Sequence, residues 1–177
     1  YLQINPIQKL TLRTQFGANA HFRRTDKFTP EFYIDALEQS TLSNVSREMQ
    51  EWLDWNWTNT ATYITTFAEK HNINVIGGFT AERFAEFQSK ASRDDVPNNM
   101  DQMQEVNAGT QNQKSEGKTA YSTLVSYLGR VMYNYDNRYY LTASIRADGS
   151  SRFPKGNKYA IFPSVSASWR IISESFM

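Results

Sequence analysis

Between Tyr127 and Ile172 apolar and polar positions alternate with a period of two. Val125, Tyr127, Val131, Tyr133 and Tyr135 fall in one phase, and Ser126, Arg130 and Asn134 in the other. After a short polar turn, Tyr139, Leu141, Ala143 and Ile145 share a phase opposite to Tyr140, Thr142, Ser144 and Arg146. A period of two places successive side chains on opposite faces of a sheet. One face is apolar and aromatic and the other is polar and charged, so the sheet separates two different solvents.

The same pattern predicts further strands. Tyr1 to Asn5 is short. Leu10 to Arg24 follows, with Leu10, Leu12, Phe16, Ala18, Ala20 and Phe22 opposite Thr11, Arg13, Gln15, Asn19, His21 and Arg23. Trp52 to Phe67 carries Leu53, Trp55, Trp57, Ala61, Tyr63 and Phe67 in phase, and Asn72 to Phe87 carries Ile73, Val75, Gly77 and Phe79. Gly77-Gly78 predicts a bend or bulge in that strand. Tyr121 to Tyr135, Arg138 to Ala147 and Tyr159 to Ile172 complete a set of about seven strands, a count for which alternation is the warrant. The segment from Pro30 to Met49 is mixed in character and compatible with a short helix.

The connections sort by length. Short turns fall at 6–9, 68–71 and 136–138, and long polar loops at about 25–50, 88–119 and 148–158. In an up-and-down meander, every short turn then lies at one end and every long loop at the other. Bacterial outer-membrane barrels are built this way, with short periplasmic turns and long extracellular loops. Tyr and Trp recur beside the short turns, where an amphipathic ring suits a membrane interface. The expected fold is therefore all-β, an up-and-down antiparallel transmembrane β-barrel, here part of a larger one. A soluble β-sandwich with recognition loops remains the alternative, because alternation alone fits both.

Composition changes the picture in three ways. The formal net charge is +1, which implies no nucleic-acid partner. There is no Cys, so disulfides, thiolate metal sites and Cys nucleophiles are absent. No stretch approaches the roughly 20 apolar residues of a membrane helix. The mean hydropathy is negative, but in a barrel the alternating faces cancel in the average. No signal peptide is visible, and both ends read as cuts through a longer protein.

The stretch Asn134-Tyr-Asp-Asn-Arg-Tyr-Tyr-Leu-Thr-Ala-Ser-Ile-Arg-Ala-Asp-Gly-Ser-Ser-Arg-Phe153 resembles the signature of SusC/RagA-type TonB-dependent transporters of Bacteroidetes. Phe162-Pro-Ser-Val-Ser-Ala-Ser-Trp-Arg170, followed by Glu174 and Phe176, resembles the next strand and turn of that family. His71 to Val75, Lys9 to Arg13 and Phe16-Gly17 are similar to its earlier strands. The resemblance implies a barrel of roughly 22 strands with an internal plug. It implies import of a glycan, oligosaccharide or peptide, a SusD-like surface lipoprotein as lid, and energy from the TonB–ExbB–ExbD system. No plug domain and no TonB box are found in this chain.

No catalytic constellation emerges, and an enzyme is not expected. His21 and His71 lie on different segments with no acidic partner, and each reads as a polar strand or turn residue. Arg93-Asp94-Asp95 reads as a solvated loop rather than a cation site. Asp148-Gly149-Ser150-Ser151 reads as a turn beside a strand end. No cofactor, metal or substrate-binding residue is assigned. In a barrel, Arg13, Gln15, Asn19, His21, Arg23, Asn56, Thr58, Thr60, Arg130, Asn134, Thr142, Ser144 and Arg146 point into the lumen, since mid-strand arginines are too costly to face lipid. Phe28, Phe32 and Tyr33 are candidates in a long loop for stacking on a sugar, packing the loop or touching the lid.

Overall fold

A computed structural model describes residues 1–97, 104–174 and 176–177. One seven-stranded sheet dominates, in the order β1-β2-β5-β6-β7-β8-β9. Its strands are β1 (Leu2–Ile7), β2 (Leu10–Thr29), β5 (Asn44–Phe67), β6 (His71–Asp94), β7 (Gln111–Tyr135), β8 (Tyr139–Ser150) and β9 (Tyr159–Trp169). A separate two-stranded piece, β3 (Phe32–Tyr33) with β4 (Gln39–Ser40), sits in the connection between β2 and β5. Strand order in the large sheet follows chain order, as an antiparallel meander requires. Residue contacts divide the chain into two units. The first holds Tyr1–Ala18, Asp54–Phe84 and Ser122–Met177, and the second holds Asn19–Leu53 and Ala85–Tyr121.

The register fixes which side chains share a face. Tyr127 pairs with Ala147, Val131 with Ala143, Tyr133 with Leu141 and Tyr135 with Tyr139. Ala143 then pairs with Val165, Ala147 with Ile161 and Tyr139 with Trp169. Arg130 opposite Ser144, and Met132 opposite Thr142 opposite Ser166, occupy the other face. Both predicted faces of this hairpin pair are therefore in phase across three strands.

Tight connections join the strands at one end. Asp136 and Asn137 both adopt the left-handed conformation, with φ of 51° and 55°, and the amide of Arg138 donates to the carbonyl of Tyr135 at 2.9 Å. Asp and Asn tolerate this region better than other non-glycine residues, and such a turn matches the right-handed twist of flanking strands. Ala68 and Glu69 take the same conformation between β5 and β6.

Several expectations are corrected. The strands overrun the segments read as loops: β2 continues to Thr29, β5 begins at Asn44, β6 reaches Asp94, β7 begins at Gln111 and β8 reaches Ser150. Of 25–50, only the middle is non-ladder chain, and it forms the β3–β4 hairpin rather than a helix. Of 88–119, the flanks are strand, a single 3-10 turn covers Val106–Ala108, and residues 98–103 lie outside the described residues. Asp148, Gly149 and Ser150 are ladder positions paired to β7, so the third connection is 151–158. No bend marks Gly77-Gly78, which sit inside continuous β6 without positive φ. β9 stops at Trp169 and gives way to a 3-10 turn, Ile171–Ser173.

There is almost no conventional core. Among the described residues, the buried hydrophobic side chains are Val45, Ala85 and Val96. The aliphatic face of β8 and β9 is open instead: Val165 is 73% exposed, Ile161 64% and Ile145 54%. A sandwich would cover that face with a second layer. A contiguous open apolar face on a paired ladder suits hydrocarbon as its solvent. In the full-length protein refolded into lipid vesicles, Val165→Arg should lower folding stability by about 2–4 kcal/mol, the cost of a cation near the bilayer midplane. Ser166→Arg, one position along on the polar face, should cost less than about 1 kcal/mol. Equal losses for the two variants in a denaturation series would remove lipid from the Val165 face.

Candidate functional site

The apolar face of the first unit carries two groups of aromatic rings. Near the tight turns, Phe67 stacks on His71 at 4.5 Å, His71 meets Tyr135 at 4.9 Å, and Tyr135, Tyr139 and Trp169 follow at 6.2 and 6.3 Å. The second group comprises Phe16 against Trp55 at 6.2 Å, and Trp57, Phe79 and Tyr127 in contact at 6.0 and 5.4 Å. Along β6 and β7 the two groups lie roughly eight residues apart and along β5 roughly ten to twelve, which for strands tilted by about 40° gives about 20–30 Å. The outward apolar band of outer-membrane barrels is about 25 Å tall and has aromatic girdles at both edges. Polar atoms within the belts are satisfied locally: the Trp57 indole donates to Thr14 Oγ1 at 2.9 Å, and His71 Nδ1 lies 2.7 Å from the Tyr133 hydroxyl. His71 is thus a belt residue on the apolar face.

A carboxylate anchors the turn after β9. Glu174 Oε1 accepts from the Trp169 indole at 3.0 Å and from the Tyr139 hydroxyl at 2.8 Å, and Oε2 accepts from Arg138 at 3.3 Å. The Trp169 and Tyr139 hydrogen bonds, with the Arg138 charge, hold the Glu174 carboxyl below its ordinary range. Arg138 also pairs with Asp136 at 3.3 Å, so this cluster joins the β7–β8 turn to the end of β9.

The polar face follows the predicted phase. Gly17 lies opposite Asn56, so close that an added Cβ would meet Asn56 Oδ1 at 2.5 Å. His21 packs against Trp52 at 5.1 Å. Arg13 lies over the Tyr1 ring at 4.5 Å and donates to Gln15 at 3.0 Å. Arg146 donates to Asp148 at 2.7 Å and to Ser126 at 3.2 Å. Arg130, Asn134, Thr142 and Ser144 share this face by register. Thr58 and Thr60 are in phase with Asn56, and Asn19 and Arg23 with Gly17 and His21. Sequence alone gave no means of pairing His21 with Trp52, since Trp52 lies out of phase with the apolar series around it.

In the second unit, both faces become polar. Along β2 the positions in phase with Phe16 become Arg24 and Asp26, and along β5 the position in phase with Trp55 becomes Arg47. Asp26 receives Arg24 at 2.7 Å and also Arg47, which reaches Glu105 at 3.0 Å. The Arg47 hydrogen bond, joined by Arg24, pulls the Asp26 carboxyl below its ordinary range.

The triplet Arg93-Asp94-Asp95 is a structural knot. Arg93 donates to the Gly109 carbonyl and to Gln113. Asp94 accepts from Asn44 at 2.6 Å and Asn112 at 2.8 Å, and Asp95 accepts from Thr110 and Gln111. Among the described residues no cluster of His, Asp or Glu is arranged to hold a metal. Phe32 and Tyr33 lie on the β3–β4 hairpin, where Asp35 caps the amides of Leu37 and Glu38 at 2.7 and 2.8 Å. That tip leaves Tyr33 72% and Leu37 100% exposed. Phe28, near the end of β2, is half-buried.

No protein-family model matches the chain. "TonB-dependent receptor P26" of Formosa agariphila is 27% identical over 179 residues, covering 100% of this chain and 18% of that protein. "TonB-dependent receptor SusC" of Bacteroides thetaiotaomicron is 48% identical over 67 residues, covering 36% of this chain and 7% of SusC. Among solved structures, the RagAB peptide transporter superposes with a TM-score of 0.88 at 26% identity, covering 99% of this chain and 19% of that one. The chain thus spans under a fifth of the length of these relatives. The antiparallel meander, with one apolar and one polar face, is similar to part of the barrel of TonB-dependent receptors. Within that class the chain is similar to the SusC/RagA type. Receptors and transporters, not enzymes, make up this family.

The Glu174 cluster yields a pH prediction. A carboxyl whose folded pKa is depressed contributes stability above its unfolded value, and the contribution disappears as pH falls through the folded value. Thermal melts of the full-length protein in detergent should therefore show wild type losing stability, relative to Glu174→Gln, as pH descends below the ordinary glutamate range. Parallel pH profiles for the two would show that the carboxylate carries no such linkage.

Proposed function

We propose that the chain is part of the wall of an active transporter in the outer membrane of a Gram-negative bacterium, working in TonB-dependent nutrient import. The observation that carries this reading is the open apolar face bounded by two aromatic groups, whose spacing along the strands at a barrel tilt of about 40° corresponds to about 20–30 Å, close to the height of an outer-membrane apolar band. On this reading lipid covers the face of Leu141, Val165 and Ile161, and the opposite face with Arg13, Arg130 and Arg146 lines the lumen, in contact with the plug or the hydrated path. The tight turns at 68–70 and 136–138 lie toward the periplasm. The long connections within 25–50, 88–119 and 148–158 are extracellular, together with the strand extensions whose two faces are both polar.

The cargo class is an oligosaccharide or a peptide, and a SusD-like surface lipoprotein serves as the lid. The RagAB transporter, with which the fold superposes, is described as a peptide transporter. The exposed β3–β4 tip, with Tyr33 and Leu37, offers apolar contact on the extracellular side. The TonB–ExbB–ExbD system would act through plug and TonB-box segments that these residues do not supply. A soluble sandwich would need a buried inner face, which the scarcity of buried hydrophobics among the described residues argues against.

Membrane fractionation tests the location and uptake tests the activity. The full-length protein should sediment with outer membranes and leave them only in detergent. Cells expressing it should lose uptake of its cargo when TonB is deleted, while passive permeation of small solutes is unchanged. A freely soluble native protein, or uptake indifferent to TonB, would sink the proposal.

A further inference from the structure

The second unit contains a cleft of about 290 Å³ on its polar face. Three lysines from three strands line it: Lys27 of β2, Lys90 of β6 and Lys114 of β7. Asn44, Ser46 and Ser92 supply neutral hydrogen-bonding groups in its wall, and Glu116 is the one carboxylate among its lining residues. Lys27, Lys90 and Lys114 have no ion-pair partner among the described residues.

The surrounding charges are otherwise matched. Arg24 and Arg47 are paired with Asp26 and Glu105, and Lys118 lies 3.8 Å from Glu86. Asp94 accepts hydrogen bonds from the amides of Asn44 and Asn112 and feels the charge of Lys114 without forming an ion pair with it. Lys90 is half-buried as a residue. Like charges lining a shared void repel. An anion in the void relieves it through charge-assisted hydrogen bonds, while the serine hydroxyls and the asparagine amide complete its coordination. The lining is polar, with no aromatic ring, so charge rather than stacking governs what it holds.

We propose that this cleft binds an oxyanion carried by the imported solute, a carboxylate or a sulfate ester, and so favours acidic cargo. The inference rests on the transporter reading, which places this face on the path of the solute. It assigns specificity to residues on strand extensions that sequence analysis read as loop.

The test is lysine acylation of the full-length receptor, read residue by residue by mass spectrometry. The probes are sodium sulfate, galacturonate and galactose, with Lys155 of the exposed 151–158 connection as internal reference. At saturation, sulfate or galacturonate should slow modification of Lys27, Lys90 and Lys114 by about tenfold relative to Lys155. Galactose should not. The arm that protects tells a sulfate site from a carboxylate site. Lys90→Gln with Lys114→Gln should abolish protection of Lys27. Protection by neither anion, or equal protection by galactose, overturns the proposal. So does failure of the three lysines to react when no anion is present, since the cleft is then filled by another part of the protein. Outer-membrane fractionation of the same samples is independent of these outcomes, so failure of the cleft leaves the transporter reading standing.

Discussion

Hydrocarbon offers no hydrogen bonds, and the rest of the wall follows from that. A peptide group placed in lipid must find its partner in the protein. The antiparallel ladder from β7 through β9 does this residue by residue over the whole apolar stretch. Once the backbone is satisfied in this way, the pleat dictates alternate sides for alternate side chains. On the proposed reading, lipid then selects Leu141, Val165 and Ile161 on one side and rejects Arg130 and Arg146 to the other. The belts follow from the same constraint, because Trp169 and Tyr139 each have an apolar ring to bury and a polar tip to satisfy.

This also explains what was legible in the sequence. Period-two patterning is the imprint of two unlike solvents, so β8 and β9 were readable to within three residues at each end. The phase of His21, Arg13 and Asn56 was equally readable. The imprint fades where water wets both sides. Residues 44–51, 88–94 and 111–120 are strand, but their two faces are both polar and nothing alternates. Asn, Gln, Ser and Lys in such a stretch read as loop on composition, while the hydrogen-bonding ladder that makes them strand depends on a neighbour far away in sequence. The lysine cleft was hidden for that reason. Lys27, Lys90 and Lys114 come together only through the register of strands whose existence the pattern did not announce.

The resemblance stretch from Asn134 to Phe153 now has a physical content. It encodes a left-handed turn at Asp136-Asn137, a ladder in phase on both sides, and an arginine tied to Ser126 and Asp148. Gly149 ends the run where the Tyr159 ring lies over the backbone, so that an added Cβ would meet Cε1 at 2.5 Å. The features proposed to read a cargo lie elsewhere, on the polar extensions and the hairpin tip.

Glu174 has one further consequence. A sheet laid down strand after strand can slide along its ladder, and a slip of one residue would turn every side chain to the wrong solvent. The bonds from Glu174 to Trp169, Tyr139 and Arg138 are made only when β9 ends level with the start of β8. The carboxylate therefore marks the register of β9 against β8.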